Sequence, residues 1–214
     1  MPITAVYATK GGQGVTTTAA ALAILTARTG ARTLLVDTAH DQPAILGLPD
    51  PTGPGLGDYL QPASRTTLAQ ITTTIAENLD LIHRGDTEIV FATHTYGQLT
   101  GGLGHYDHVI IDTHNAAYAW TLHVDRRLLV TRPCYLALRR SAVTPRPDAV
   151  VLINEHERAL NATDIETVLG IPITATVPYH PAIARAIDAG LLTTRLPREL
   201  ARALHPLLTT VTGR

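Results

Sequence analysis

The sequence alternates short apolar segments with longer segments in which apolar residues recur at helical spacing. The apolar segments, each short enough for one buried strand, are residues 3–8, 33–36, 79–83, 108–111, 127–131, 149–153 and 173–177. Helical character is found at residues 15–29, 64–76, 86–97, 135–143 and 163–169. Because strands that alternate with helices are typical of a parallel sheet covered on both sides, this pattern predicts an α/β fold: one doubly wound, mostly parallel sheet with helices on both faces.

The chain is predicted to form a single domain over residues 1–214, because this length with 45% hydrophobic residues can bury one large core. Residues 43–62 are rich in proline and glycine and are interpreted as a long surface loop of that domain. Cys134 is the single cysteine, so an intrachain disulfide and a cysteine-based metal cluster are excluded.

Charge and hydropathy predict a cytoplasmic protein. The net charge is -1, no uncharged apolar run reaches about 18 residues, and the first residues lack the basic head of a secretory signal. In the C-terminal segment, four leucines share one side of a predicted helix, namely Leu196, Leu200, Leu204 and Leu207. Pro206 favours packing of this helix on the core over insertion into a membrane.

The first candidate site is the segment TKGGQGVTTT, residues 9–18, between the first strand and the first helix. It contains Lys10, the only lysine among 17 basic residues, and a lysine brings a compact charge on a thin stem. Glycines 11, 12 and 14 allow the backbone to close around an anion, and the helix N-terminus attracts negative charge. Thr16 follows where a hydroxyl can reach Mg2+, so the segment predicts a phosphate site.

Two of the predicted strands end in a carboxylate. Asp37 follows residues 33–36, and Asp112 follows residues 108–111. Such an aspartate either serves a metal at the edge of the sheet or is the N-cap of a helix.

These residues resemble the ParA/MinD family of deviant Walker-A ATPases, whose loop reads KGGxGK followed by two small hydroxyl residues. The segment KGGQGVTT matches at Lys10, Gly11, Gly12, Gly14, Thr16 and Thr17. Further segments that resemble the family, in the same order, are LLVDTAHDQP, GLGDYL, YDHVIIDTHN, VVLINEHER and VPYHPAIARAIDAG.

The resemblance implies ATP or ADP with Mg2+ as cofactors and a homodimer in which Lys10 reaches the phosphates of the partner subunit. It implies catalytic roles for Lys10 and Asp37 and a metal site at Thr16, Asp37 and Asp112. It implies nucleotide contacts from Lys10, Gly11, Gly12, Gln13, Gly14, Val15, Thr16, Thr17, Asn154 and Pro178, of which Asn154 and the loop after Pro178 would contact the base. Asn154 as a turn residue is the alternative.

Two positions depart from the family pattern. Val15 replaces the second loop lysine, and Ala39 replaces the second aspartate of a D-x-D motif that orients the attacking water. Phosphoryl transfer depends on positioning and charge stabilisation, so slow or absent hydrolysis is expected. The candidates to replace the missing charged groups are Lys10, folded back toward the phosphates of its own subunit, and His40, Asp41 and His114.

Arginine clusters suggest a polyanionic partner. Residues 126–146 carry six arginines and no carboxylate, and residues 185–214 carry five arginines and two carboxylates. The candidate contacts for non-specific DNA are Arg139, Arg140, Arg198 and Arg202, and a solvated face is the alternative reading. DNA contacts would make the protein nucleoid-associated.

Three functions remain open on the sequence. The first is a nucleotide-switched dimer that partitions DNA or positions a cargo with an adaptor protein, and it requires turnover. The second is a degenerate relative that binds nucleotide without hydrolysis. The third is an interaction scaffold that binds no nucleotide.

Overall fold

The computed structural model describes residues 1–113, 120–141, 144–155 and 157–212. Its strands are β1 (Ile3–Tyr7), β2 (Thr33–Asp37), β3 (Thr72–Ala76), β4 (Leu79–Ile82), β5 (His108–Asp112), β6 (Arg126–Thr131), β7 (Ala149–Asn154) and β8 (Ala175–Pro178). Its helices are α1 (Val15–Ala27), α2 (Gln42–Leu46), α3 (Leu56–Tyr59), α4 (Leu68–Ile71), α5 (Thr93–Thr100), α6 (Tyr135–Ser141), α7 (Ala162–Leu169), α8 (Pro181–Asp188), α9 (Arg198–Leu204) and α10 (Leu207–Thr212).

The strands form one sheet in the order β3-β4-β2-β5-β1-β6-β7-β8. Every neighbouring pair is parallel except the edge pair β3 and β4. The chain moves from β1 toward β2 in one direction and from β6 toward β8 in the other. Right-handed crossovers therefore place the connecting helices on opposite faces, which confirms the predicted doubly wound sheet.

Each face of the sheet has its own helices and its own apolar cluster. On one face the almost completely buried helix α1 packs with α2, α8, α9 and α10, and residues such as Leu35 and Val151 contribute from the strands. On the other face α3, α4 and α5 pack around Leu34 and Trp120, while α6 and α7 pack against Leu152. The alternation of Leu34 and Leu35 shows the period of two that divides a buried strand between faces.

The prediction of a long surface loop at residues 43–62 is partly wrong, because this segment contains two short helices. Helix α2 begins next to Pro43, whose fixed φ suits a first helical turn, and Leu46 at its end is buried. In α3, Leu56 is fully buried. The apolar residues between the prolines thus serve the core, which the loop composition concealed.

The predicted helix at residues 64–76 is also largely wrong. Only Leu68–Ile71 is helical, and the chain then forms β3, whose three consecutive threonines are β-branched and suit a strand. Asn78, with φ of +59°, turns the chain back into the antiparallel β4. The predicted helix at residues 86–97 begins instead at Thr93.

The C-terminal segment forms two helices, α9 and α10, which are separated at Pro206. Leu200, Leu204 and Leu207 are buried, and both helices pack on α1. The apolar side of this segment therefore covers the domain core. No helix among the described residues has both the length and the apolar character needed to cross a bilayer.

Candidate functional site

The glycine-rich loop joins β1 to α1 at the carboxyl edge of the sheet. Gly14 is the N-cap of α1 with φ of +95°, a left-handed conformation, and its carbonyl accepts a hydrogen bond from the N–H of Thr18 at 3.0 Å. A Cβ on Gly14 would lie 3.3 Å from Ile153 Cγ1. Both the conformation and the close packing explain why glycine occupies this position.

The loop forms one wall of a cavity of about 430 Å³. The lining residues are Ala8, Lys10, Gly11, Gly12, Gln13, Gly14, Val15, Thr16, Thr17, Ala39, Asp41, Asp112, Thr113 and Arg132. The structure thus brings all the predicted phosphate contacts from residues 10–17 together with Asp112. Asp37, Asn154 and Pro178 are not part of this wall.

Asp37 and Asp112 are register partners at the ends of the neighbouring strands β2 and β5. The Asp37 carboxylate accepts hydrogen bonds from the N–H groups of Ala39 and His40 at 2.7 and 3.0 Å, and from that of Gln42 at 3.2 Å. Burial raises the pKa of Asp37, and these N–H groups lower it in part. Asp37 therefore closes the turn that leads into α2, although the N-cap residue of α2 is Asp41.

Asp112 is buried with one oxygen satisfied. Its Oδ2 accepts a hydrogen bond from Gln42 Nε2 at 2.8 Å, and Oδ1 has no hydrogen-bond partner among the described residues. Burial first and the charge of Asp37 second raise the pKa of Asp112 to about 7, although the hydrogen bond from the Gln42 amide and the nearby Thr16 hydroxyl lower it.

A buried carboxylate oxygen without a partner, in a cavity that also contains the Thr16 hydroxyl, fits a divalent cation. Mg2+ prefers oxygen ligands and keeps several waters, so one carboxylate and one hydroxyl are sufficient protein ligands. Gln42 holds both residues in place, because its Nε2 donates to Asp112 Oδ2 and also to the Thr16 carbonyl at 3.0 Å. Sequence reasoning did not single out Gln42, although it lies in the segment that resembles the family.

A profile of the CobQ/CobB/MinD/ParA nucleotide binding domain matches residues 4–193. The chain belongs to this family. A search of curated proteins finds no match. The predicted resemblance to the ParA/MinD family of P-loop ATPases is therefore confirmed.

Solved structures of MinD and ParA proteins share the fold. MinD from Pyrococcus horikoshii OT3, complexed with Mg-ADP, is 22% identical with a TM-score of 0.79, over 98% of this chain and 95% of that chain. MinD in the MinC:MinD complex of Aquifex aeolicus is 18% identical with a TM-score of 0.84, over 100% and 97%. A ParA family ATPase from Chlorobium tepidum TLS is 20% identical with a TM-score of 0.74, over 97% and 98%.

The two departures from the MinD/ParA pattern lie at the cavity itself. Val15 lines the cavity and also packs against the core cluster of α1, so an apolar group stands beside the loop. Ala39 lines the cavity from the turn after β2. Lys10 is the one lysine of the chain, and it contributes to this wall.

A hydrogen-bonded network continues from the loop toward β7, and sequence reasoning missed it. The N–H of Arg132 donates to Gln13 Oε1 at 2.8 Å, and Arg132 Nη1 donates to Glu155 Oε1 at 2.7 Å. Arg158 Nε donates to the other carboxylate oxygen of Glu155 at 2.6 Å. The buried Gln13 side chain therefore braces the loop from within, which explains an amide at this position.

The predicted base contacts, Asn154 and Pro178, are register partners at the ends of β7 and β8. The Asn154 carbonyl accepts a hydrogen bond from the N–H of Tyr179 at 3.1 Å. Beside them lies a second cavity of about 420 Å³, lined by Glu155, Glu157, Arg158 and Tyr179. A third cavity, of about 480 Å³, shares Lys10 with the first and Glu155 with the second, so it connects the two regions.

The four candidate DNA contacts are all exposed but do not form one surface. Arg139 and Arg140 lie on α6, and Arg198 and Arg202 lie on α9, which is on the opposite face of the sheet. Arg140 lies near the glycine-rich loop, with Nη1 3.4 Å from the Thr9 carbonyl. A duplex bound to one pair would leave the other pair on the far side of the domain.

Proposed function

We propose that this protein binds ATP or ADP with Mg2+ in the cavity of the glycine-rich loop and acts as a nucleotide-dependent dimer in partition or cargo positioning. The observation that carries the proposal is the convergence of residues 10–17 with Asp112, whose Oδ1 has no hydrogen-bond partner in the part of the chain that the structure describes. Membership of a nucleotide-binding family supports it.

Each part of the cavity has a role in this proposal. The backbone of residues 11–14 and the N-terminus of α1 hold phosphate oxygens, and Lys10 adds a positive charge. Thr16 and Asp112 hold Mg2+, which neutralises phosphate charge when it is bound. Asn154 and the loop after Pro178 contact the base, next to the second cavity.

Hydrolysis is proposed to be slow or absent. Val15 removes a charge at the phosphates, Ala39 removes a carboxylate from the turn, and the oxygens of Asp37 are occupied by backbone N–H groups. We expect the double variant Val15→Lys/Ala39→Asp to raise the phosphate release rate at least tenfold, since charge placement at the phosphates governs this chemistry.

The proposed dimer rests on the family resemblance, and the proposed adaptor rests on one solved relative. In the Aquifex aeolicus complex, MinD is bound to MinC, and an adaptor protein is proposed here in the same sense. In the proposed dimer, Lys10 reaches the phosphates bound by the partner subunit. Sedimentation with and without Mg-ATP tests the dimer, and a Lys10→Ala variant that still dimerises with ATP would contradict this role for Lys10.

Calorimetric titration with Mg-ATP and Mg-ADP tests nucleotide binding. Wild type is expected to bind, Lys10→Ala to bind about tenfold more weakly and Val15→Lys about tenfold more tightly, because one charge-assisted hydrogen bond contributes about 1.5–3 kcal/mol. Arg65→Ala is the control, since Arg65 is an exposed cation outside the cavity. Absence of binding by wild type at millimolar nucleotide, with binding recovered by Val15→Lys, would contradict the proposal.

The second candidate is a scaffold that has lost the nucleotide switch, and Val15 together with Ala39 favours it. It predicts the same oligomeric state and the same partner binding with and without nucleotide. A nucleotide-dependent change in either property would exclude it.

Non-specific DNA binding, with nucleoid association in the cytoplasm, is proposed for one of the two arginine pairs. Arg198 lies on a groove of about 690 Å³ that also contains Arg185 and Arg195, which favours the α9 side. Fluorescence anisotropy with a random duplex compares Arg198→Gln/Arg202→Gln with Arg139→Gln/Arg140→Gln. The α9 variant is expected to bind more weakly than wild type and the α6 variant, and with a shallower salt dependence. Equal binding by wild type and both variants would contradict this proposal.

A further inference from the structure

Of the three aspartates at the ends of β2 and β5 and in the turn after β2, two line the cavity of the glycine-rich loop. Asp112 and Asp41 line it, whereas Asp37 is buried and both of its oxygens accept hydrogen bonds from backbone N–H groups. Asp41 is exposed, and its carboxylate is the N-cap side chain of α2 without a capping hydrogen bond. The cavity therefore has a second carboxylate, at a position different from Ala39.

The turn that presents Asp41 is fixed on both sides. On one side His40 has φ of +82°, a left-handed conformation that is unfavourable for a side chain with a Cβ, and the Asp37 carboxylate holds its N–H. On the other side the Gln42 side chain is bound to Asp112 and to the Thr16 carbonyl. Asp41 is thus held between two anchored residues, at the mouth of the site.

The other candidates to replace the missing carboxylate do not have this placement. The His40 ring contacts the guanidinium of Arg84 and is not part of the cavity wall. His114 lies outside the described residues. Among the described candidates, Lys10 and Asp41 line the cavity, and only Asp41 is an anion.

We infer that Asp41 provides the second carboxylate of the cation site, together with Thr16 and Asp112, in place of Ala39. The inference rests on the proposed function, because the cation accompanies the bound nucleotide. Asp41 accepts hydrogen bonds from the waters that Mg2+ retains, as carboxylates commonly do at phosphate sites. Without the cation, the negative charge of Asp41 repels the phosphates that enter the same cavity.

Asp41 is thus expected to favour nucleotide binding when Mg2+ is present and to oppose it when Mg2+ is absent, and this difference gives a specific test. The affinity for ADP is measured by calorimetry in EDTA and again in excess Mg2+, and the ratio of the two dissociation constants is the gain from the cation. For Asp41→Asn we expect binding in EDTA to be two- to threefold tighter and the gain from Mg2+ to fall about tenfold. Asp50→Asn removes an exposed carboxylate that lies after α2 and outside the cavity, and this control is expected to match wild type in both conditions.

A third variant tests whether a carboxylate at position 39 can replace the carboxylate at position 41. Ala39→Asp, combined with Asp41→Asn, is expected to restore at least half of the lost gain. A gain from Mg2+ that is unchanged in Asp41→Asn overturns the inference and leaves the proposed function standing. Failure of wild type to bind ADP in either condition overturns both the inference and the proposed function. Thermal melting of each variant confirms that it is folded.

Discussion

Replacing Asp112 by asparagine is expected to stabilise the protein at alkaline pH when neither Mg2+ nor nucleotide is present. The substitution preserves the shape of the side chain, and an amide oxygen can still accept the hydrogen bond from Gln42 Nε2. It removes a buried negative charge that lies beside Asp37. The protein thus loses an unfavourable charge while its packing stays the same.

The size of the effect follows from the pKa of Asp112, which is raised from 3.8 to about 7. The folded protein keeps this proton up to about pH 7, whereas the unfolded chain releases it near pH 3.8. The stability of wild type therefore falls as the pH rises through this window, by about 4 kcal/mol in total at about 1.4 kcal/mol per pH unit. About 3 kcal/mol of this loss lies between pH 5 and pH 8.

Urea unfolding in EDTA at pH 5 and pH 8 measures the effect. The advantage of Asp112→Asn over wild type is expected to be about 3 kcal/mol greater at pH 8 than at pH 5. Comparing two pH values removes any constant cost of placing the amide in the site, and Asp50→Asn controls for loss of an exposed carboxylate. An advantage that is equal at both pH values would show that Asp112 carries no raised pKa.

Three further predictions concern the loop, the core and the turn after β4. Gly14→Ala is expected to lower the free energy of unfolding by about 1–3 kcal/mol, because φ is +95° and the new Cβ would lie 3.3 Å from Ile153. Urea unfolding measures this change. Gly97→Ala, whose Cβ would meet no described atom within 4 Å, is the control. Trp120→Ala is expected to cost about 3–5 kcal/mol, because the ring is fully buried with an edge-to-face contact to Phe91 at 5.0 Å, and a loss below about 1 kcal/mol in the same assay would contradict this packing. Thr87→Val removes the 2.6 Å hydrogen bond to Asp58 and should raise the lowered pKa of Asp58 toward its ordinary value. NMR titration of the carboxyl group detects this change. An unchanged pKa of Asp58 would refute the role of Thr87.

Local features that depend on near neighbours could be predicted from the sequence. The central strands were found because each is a continuous apolar run, and the loop at residues 9–18 was found because its glycines and Lys10 are contiguous. The sequence predicts β4 but not β3, since Thr72–Ala76 is stabilised as a strand by its pairing with β4. Pairing partners are not visible in local periodicity.

The roles of the carboxylates could not be settled in the same way. Asp37 and Asp112 look alike in sequence, since each ends a buried strand. In the fold, the turn of residues 38–42 bends back and occupies Asp37, while Gln42 reaches across to Asp112 and leaves its Oδ1 open. A backbone turn therefore decides which carboxylate oxygen is left without a hydrogen-bond partner among the described residues.

The amino-acid sequence alone is enough to predict the alternating architecture, the family resemblance and the position of the glycine-rich loop, because these depend on hydrophobic period and on contiguous residues. The tertiary structure decided that Asp41 faces the cavity, that Arg132 braces Gln13 across 119 residues of chain, and that the two arginine pairs lie on opposite faces. The physical reason is that strand order, crossover handedness and turn geometry bring together or separate residues that are distant in the chain.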